Sequence, residues 1–391
     1  MSSFRLTEKE MNYLADKYPT PFLVASLDKI EENYNMIRQN MPRVRIHYAM
    51  KSNPMEKIVG RLAELGACYD VASAGEIEQL HTMGISGDRL IYANPVKTKQ
   101  GLELSARYGV NRFTFDDESE IPKMAELVPG GEVLVRIRVV NEKALVNLNA
   151  KFGVDPREAI PLLLKAKEAG LNPVGICFHV GSQSLTTEAY DEALLICRCL
   201  FGEAERQGMN LRVLDIGGGF PIPSVNGPVD PEGMMQSINR QLDRLFPDTE
   251  ILCEPARFMC GTAVYLVTSV IGTKTRGDQT WYILDEGLYG TFSGAIFDHW
   301  TFEFESFRKG KKYLATFVGP SCDSIDFVRR DVMTPELKMG DRLLVPDCGA
   351  YTSASSTTFN GFQQAPIYIW EEQKLFRAEK EPMQVEAQQA I

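Results

Sequence analysis

A (β/α)8 TIM-like barrel followed by a C-terminal antiparallel β domain, an α/β fold, is what this sequence predicts. Three observations carry it. Eight short β-branched runs between residues 45 and 256 alternate with amphipathic segments. Those runs are apolar at nearly every position, as strands covered on both faces must be. Beyond residue 258 the helical spacing stops while strand-like runs continue between turns. An open doubly wound sheet is the competing arrangement, but it would usually end at five or six strands.

The barrel strands are expected at Arg45–Met50, Cys68–Ala72, Arg89–Ala93, Arg112–Asp116, Val133–Val139, Val174–Val180, Arg212–Ile216 and Ile251–Glu254. Apolar residues at three- and four-residue spacing mark the intervening helices, for example Glu56–Leu65 and Glu76–Met83. Val264–Ile271, Thr280–Leu284, Tyr313–Val318 and Arg342–Pro346 read as strands of the second domain. The early run Pro21–Ala25, ahead of a helix at Asp28–Asn40, is expected to pair with that C-terminal sheet. The division is therefore residues 1–25 joining the β domain, 26–257 for the barrel and 258–391 for the β domain. The tail after Glu371 is charged and Gln-rich, which suits poor order at its end.

Bulk properties narrow the function. The chain has 391 residues, 44% of them hydrophobic and 24% charged, as in an ordinary globular enzyme. A net charge of −10 argues against a nucleic-acid-binding surface. No run has the length and apolarity of a signal peptide or membrane span, so the cytoplasm is expected, without membrane partners. Eight cysteines show no disulfide framework and four scattered histidines no ligand spacing, so no metal site is expected.

Chemistry gathers at the C-terminal ends of barrel strands, where the variable loops meet. Lys51 follows the first strand, Asp70 lies in the second, Arg136 in the fifth and His179 near the end of the sixth. Asp215 precedes the glycines after the seventh, and Glu254 closes the eighth. A lysine at the mouth of a buried strand is costly unless paired or covalently masked, and a Schiff base with an aldehyde is one such masking; the plainer alternative is a stem that reaches solvent. Asp215-Ile216-Gly217-Gly218-Gly219-Phe220-Pro221 is either a flexible turn or a loop whose backbone N–H groups converge on a phosphate. Glu254 and Arg257 form a local ion pair, or else serve a heteroaromatic nitrogen and a phosphate. His179 is a hydrogen-bonded core residue or a partner for a planar ring. Cys322 beside Asp323 suits a protonated thiol, because a neighbouring anion raises a thiol pKa. Asp298 ends an apolar run and suits a cationic group.

Together the segments Tyr48–Pro54, Tyr69–Ser73, Phe178–Gln183, Asp215–Pro221, Glu254–Arg257, Cys322-Asp323 with Asp326, and Phe359–Phe362 resemble the fold-type III pyridoxal-phosphate decarboxylases. This is the alanine racemase or eukaryotic ornithine decarboxylase-like group, with bacterial lysine/ornithine decarboxylases most similar. The resemblance covers nearly the whole chain. It implies pyridoxal 5'-phosphate bound covalently at Lys51, with Glu254 on the pyridine nitrogen and His179 on the ring face. It places Ser182, Gly218, Gly219, Arg257 and Tyr351 at the phosphate, and Asp70, Glu76 and Arg136 around Lys51 and the ring. It further implies that Cys322 protonates the substrate carbon from a partner subunit, and that Asp298 and Asp323 hold the distal amine of a diamino acid. Lys151 and Asp326 would bridge the subunits of a homodimer with shared sites. The activity implied is decarboxylation of L-lysine and L-ornithine to cadaverine and putrescine. Its rivals are a meso-diaminopimelate decarboxylase, an alanine-racemase-like enzyme, which the Cys322-Asp323 loop opposes, and a non-catalytic regulatory homologue. The stretch Val44-Arg45-Ile46, with Ser52 and Pro54, falls where members of this family vary.

Overall fold

Buried strand runs separated by amphipathic helices suit either an open doubly wound sheet or a closed barrel, and here the sheet closes. The computed structural model describes residues 4–141, 144–146, 151–223, 228–277, 279–371 and 374–378. The first part of the chain forms β1 (Phe22–Ser26), β2 (Val44–Ala49), β3 (Cys68–Val71), β4 (Leu90–Tyr92), β5 (Arg112–Phe115) and β6 (Glu132–Arg136). It continues with β7 (Ala144–Val146), β8 (Asn172–Cys177), β9 (Ser182–Ser184), β10 (Val213–Asp215) and β11 (Glu250–Cys253). Eight of these, β2 to β6 with β8, β10 and β11, close into a parallel barrel in which β11 pairs with β2. The strands end one to three residues before the runs expected from sequence do, with β6 and β8 three residues short at their C-terminal ends.

Helices wrap the ring because their caps and apolar stripes agree. Ser73 and Thr98 each accept a backbone N–H at a helix start, and Pro156 and Pro231 occupy first turns where no N–H is needed. In the helix Glu56–Glu64 the fully buried residues are Ile58, Val59 and Leu62, each contributing about 1.5–3 kcal/mol on burial. Inside the ring, Ile91, Leu134, Val174, Val213 and Leu252 form a separate apolar cluster. Below it, Arg112 bridges Glu132 and Glu250, both at 3.0 Å, and ties β5 to strands β6 and β11 across the N-terminal face.

The second domain comprises β12 (Val264–Arg276), β13 (Gln279–Leu284), β14 (Lys312–Val318), β15 (Phe327–Pro335), β16 (Arg342–Val345), β17 (Ile367–Glu371) and β18 (Lys374–Ala378). Its sheet runs β15-β14-β13-β12-β1-β17-β18, with β16 also paired to β12. Strand β1 therefore lies inside this sheet, antiparallel to β12 and parallel to β17. Ahead of it, Leu6, Met11 and Leu14 pack on Phe22, Val24, Tyr265 and Tyr368. The sheet is not wholly antiparallel as expected, since β13 and β14 also run parallel. Strands β15, β17 and β18 were not anticipated. β18 falls within the tail expected to be poorly ordered towards its end; residues from 379 onward lie outside the described residues.

Candidate active site

Register places the polar residues in one ring. Ala49 pairs with Asp70 across β2 and β3, and Cys177 pairs with both Arg136 and Asp215 on its neighbouring strands. Lys51, two residues past Ala49, lies in the turn Met50–Ser52 and donates to Asp70 Oδ2 at 2.8 Å. Burial works against the Lys51 charge, but Asp70, Tyr351 and Glu254 outweigh it and hold the amine above its usual range. Asp70 is almost fully buried, and its Oδ1 has no hydrogen-bond partner among the described residues.

Two more carboxyls face this pair. Asp215 ends β10 and takes the N–H of Gly217 at 2.9 Å; burial still raises its pKa to about 6. Glu254 follows β11, and burial, with Asp215 and Asp70 beside it, raises its carboxyl well above the ordinary range. Glu76 accepts the Ala72 N–H, and burial raises its pKa to about 7. Arg136, His179 and Glu254 line a small cavity with Ala93, Thr114, Cys177 and Phe178. His179 is kept neutral by burial and by the charges of Arg136 and Lys51. Its Nδ1 accepts the Gly181 N–H at 2.9 Å, which puts the ring proton on Nε2.

The three glycines allow close approach. A Cβ at Gly217, Gly218 or Gly219 would lie 2.5–2.6 Å from the carbonyl oxygens of Phe178, Glu254 and Gly181, respectively. Tyr190 donates to the Gly218 carbonyl at 2.7 Å, and the Ser184 N–H to that of Gly219 at 2.9 Å. Among the described residues the N–H groups of Gly218 and Gly219 have no acceptor. Ser182 stands at the start of β9, half-buried. Gln183, with φ of 56°, clasps the backbone of Ile222 beyond the glycines through both ends of its amide.

The β domain closes the other side. Gly349 passes so near Cys260 that any Cβ would meet the Cys260 carbonyl; the Asn53 amide donates to the Gly349 carbonyl at 2.9 Å. The Tyr351 N–H then reaches the Ser52 carbonyl at 3.0 Å, with Tyr351 at φ 56°. Arg257 is 3% exposed, lies against the rings of Trp300 and Tyr351, and is ion-paired with Asp298. Its Nε and Nη1 have no hydrogen-bond partner among the described residues. Asp298 thus joins the cleft through the arginine that the resemblance assigns to phosphate.

Among the described residues no hydrogen bond or ion pair links Cys322 or Asp323 to Lys51. Cys322 is exposed, and its N–H donates to Asn360 Oδ1 at 3.1 Å. Asp323 accepts the hydroxyl of Tyr289, whose ring stacks on Phe359 with centroids 4.1 Å apart. Asp326 shapes the same loop: its carboxylate takes the N–H of Leu288 at 2.8 Å and the hydroxyl of Ser321 at 2.6 Å. Both its oxygens are so engaged within its own chain. Lys151, expected to meet it across subunits, is exposed beside Phe152 on the barrel.

Sequence reasoning missed Tyr190 and Trp300 as parts of the site, and gave Gly217 and Gln183 no separate role although both lie in segments it singled out. No group of three or more His, Cys, Asp or Glu residues suited to a metal occurs among the described residues.

The arrangement fits a phosphate-bearing pyridine aldehyde. It offers an amine for the aldehyde at Lys51 and a buried carboxyl for a ring nitrogen at Glu254. For a dianion it offers uncommitted N–H groups at Gly218 and Gly219 and unpartnered guanidinium nitrogens at Arg257.

Comparison with known proteins agrees. A family model described as the pyridoxal-binding domain of pyridoxal-dependent decarboxylases matches residues 27–261. The lysine/ornithine decarboxylase of Selenomonas ruminantium is 61% identical over 379 residues, 97% of this chain and 96% of that protein. A crystal structure of lysine decarboxylase from Selenomonas ruminantium superposes with a TM-score of 0.92 at 61% identity, covering 95% of this chain and 98% of that one. The Vibrio vulnificus lysine/ornithine decarboxylase, complexed with cadaverine, gives a TM-score of 0.87 at 33% identity, covering 94% of this chain and 100% of that one.

Proposed function

The chain belongs to the pyridoxal-dependent decarboxylases, and from that premise we infer that it decarboxylates L-lysine and L-ornithine to cadaverine and putrescine. The observation that carries this reading is the facing of Lys51 and Asp70 at 2.8 Å across a cleft that also holds Glu254 and the unpartnered Arg257. Identity over nearly the full length to a lysine/ornithine decarboxylase supports the substrate class.

Pyridoxal phosphate, when bound, supplies the electron sink that accepts charge as carbon dioxide leaves. Lys51 would bind its aldehyde carbon, and Asp70 holds the amine at the strand mouth until then. Glu254 would keep a proton at the pyridine nitrogen; its buried position beside Asp215 already favours holding one. His179 presents a neutral ring face, with Arg136 beside it. Gly218, Gly219, Ser182, Arg257 and Tyr351 would hold the phosphate.

The substrate's distal ammonium would be received by Asp298 and Asp323, because a buried unpaired charge costs several kcal/mol. A distal carboxylate, as in diaminopimelate, would meet like charge there. Cys322 would deliver a proton to the substrate carbon. Cys322 is exposed and, among the described residues, has no hydrogen bond to its own Lys51, with exposed Ile325, Phe359 and Phe362 nearby in sequence or space, which supports a homodimer whose sites each draw residues from both chains. Eight free cysteines suit a reducing compartment such as the cytoplasm, and among the described residues no helix is long and apolar enough to cross a membrane.

Purified protein assayed in parallel with lysine, ornithine, arginine and diaminopimelate tests the reading. Release of carbon dioxide from lysine and ornithine is expected. Preference for diaminopimelate, or no turnover with cofactor bound, would overturn it; the latter would favour a non-catalytic regulatory homologue.

A further inference from the structure

Arg257 is held in an unusual way. Its guanidinium is buried and ion-paired with Asp298, none of its three nitrogens has a hydrogen-bond partner among the described residues, and its carbon lies 4.3 Å from the centroid of the Trp300 ring and 5.4 Å from that of Tyr351. A long, rotatable side chain held at one corner by a single carboxylate keeps one orientation only if its faces are held as well. An indole face does this best, attracting the cation through the ring quadrupole while leaving Nε and Nη1 at the rim free. Trp300 is itself 5% exposed and so packed in place.

The backbone puts it there deliberately. After the short helix Gly294–Phe297, the N–H groups of Asp298 and Trp300 both donate to the Gly294 carbonyl, at 3.1 and 3.0 Å. His299 between them takes a left-handed conformation, with φ of 53°. Residues 298 and 300 therefore turn towards the same guanidinium, one as a charge partner and the other as a platform.

We propose that Trp300 is a positioning residue for cofactor phosphate: by carrying the Arg257 guanidinium on its indole face, it aims Nε and Nη1 at the anion. This rests on the reading that Arg257 receives the phosphate of pyridoxal phosphate. Trp300 acts through Arg257, and the β domain thereby contributes to the affinity for the cofactor.

The test compares pyridoxal phosphate with pyridoxal, which has the same ring and aldehyde but no phosphate, each titrated against the full-length protein by the visible absorption of the bound cofactor. Trp300→Leu is expected to weaken pyridoxal phosphate binding about 5- to 30-fold and to leave pyridoxal binding unchanged, and Trp300→Tyr to restore most of the loss. In an Arg257→Met background Trp300→Leu should cost nothing more. Equal losses on both ligands, no loss on either, or additive losses with Arg257→Met would each overturn the proposal. Should Trp300→Leu fail to fold, Trp300→Phe carries the same comparison with a smaller loss. A wild type that takes up neither ligand would instead bring down the cofactor reading on which this one stands.

Discussion

Asp70 Oδ2 lies 2.8 Å from the Lys51 ammonium, Asp70 within β3 and Lys51 in the turn that follows β2, the strand whose Ala49 pairs with Asp70. The pair keeps the amine charged, yet the amine must lose its proton to bind an aldehyde. Lys51 has a raised pKa despite its burial, so the ion pair contributes fully below the ordinary lysine range and fades only as pH rises through the raised value. In Asp70→Asn the amine should deprotonate at lower pH. The rate of cofactor uptake, followed by absorbance, should then begin its alkaline rise at lower pH than in the wild type. Lys51→Ala should show no absorption band and no label after borohydride.

Glu254 and Asp215 are carboxyls with raised pKa values, Asp215 at about 6. A buried acid with a raised pKa takes up a proton on folding, so its stabilising contribution is present at low pH and is lost as pH rises through the folded value. The cofactor-free protein should therefore lose melting temperature as pH rises from the ordinary carboxylate range through about 6. Glu254→Gln should flatten that slope. The same variant should lower kcat on the order of 100-fold with cofactor still bound, since an amide gives the ring nitrogen no carboxylate to keep it protonated. A slope unchanged by the substitution would remove Glu254 from the buried acid pair.

Asp298 is shared between two tasks, as the partner of Arg257 and as the proposed receiver of the substrate amine. Asp298→Ala should cut kcat/KM for lysine and ornithine alike by about 10²–10³-fold. Cofactor affinity should not fall, because removing the carboxylate leaves Arg257 free for phosphate. Unchanged kinetics would take Asp298 out of the pocket.

Cys322 lies on an exposed loop of the β domain. If each site takes its Cys322 from the other chain, Lys51→Ala and Cys322→Ala variants, each nearly inactive, should complement when mixed. Equal mixing puts half of the dimers in hybrid form with one intact site each, so activity should recover to about a quarter of wild type. Subunit exchange shown by mass, with no recovery, would contradict shared sites.

The barrel was legible because each strand had to be apolar on both faces, a pattern that helices and turns do not imitate. The β domain was read less well. Phe327–Pro335 carries Arg329, Arg330 and Asp331 on a half-exposed edge, so its polar positions imitate a turn. The parallel pairings β13–β14 and β1–β17 depend on crossovers that periodicity does not report. Within the site, residues with a chemical signature beside a strand end stood out: Lys51, Asp70, Glu254 and the glycines. Trp300 did not, because an aromatic residue in His299-Trp300-Thr301-Phe302 reads as core, and its partner Arg257 is remote in sequence. Tyr190 was hidden similarly on the buried face of a helix, its hydroxyl directed at a glycine carbonyl on another strand's loop.

The position of β1 between β12 and β17 has a consequence for biogenesis. The opening segment is born first on the ribosome, but both neighbours it needs emerge only after the barrel is complete. It must remain unsatisfied throughout synthesis, a bare edge awaiting its mates. Cutting the polypeptide between the two domains would therefore yield two fragments, neither able to finish the sheet, whereas supplying the excised strand as a separate peptide gives a direct way to time the last step of assembly.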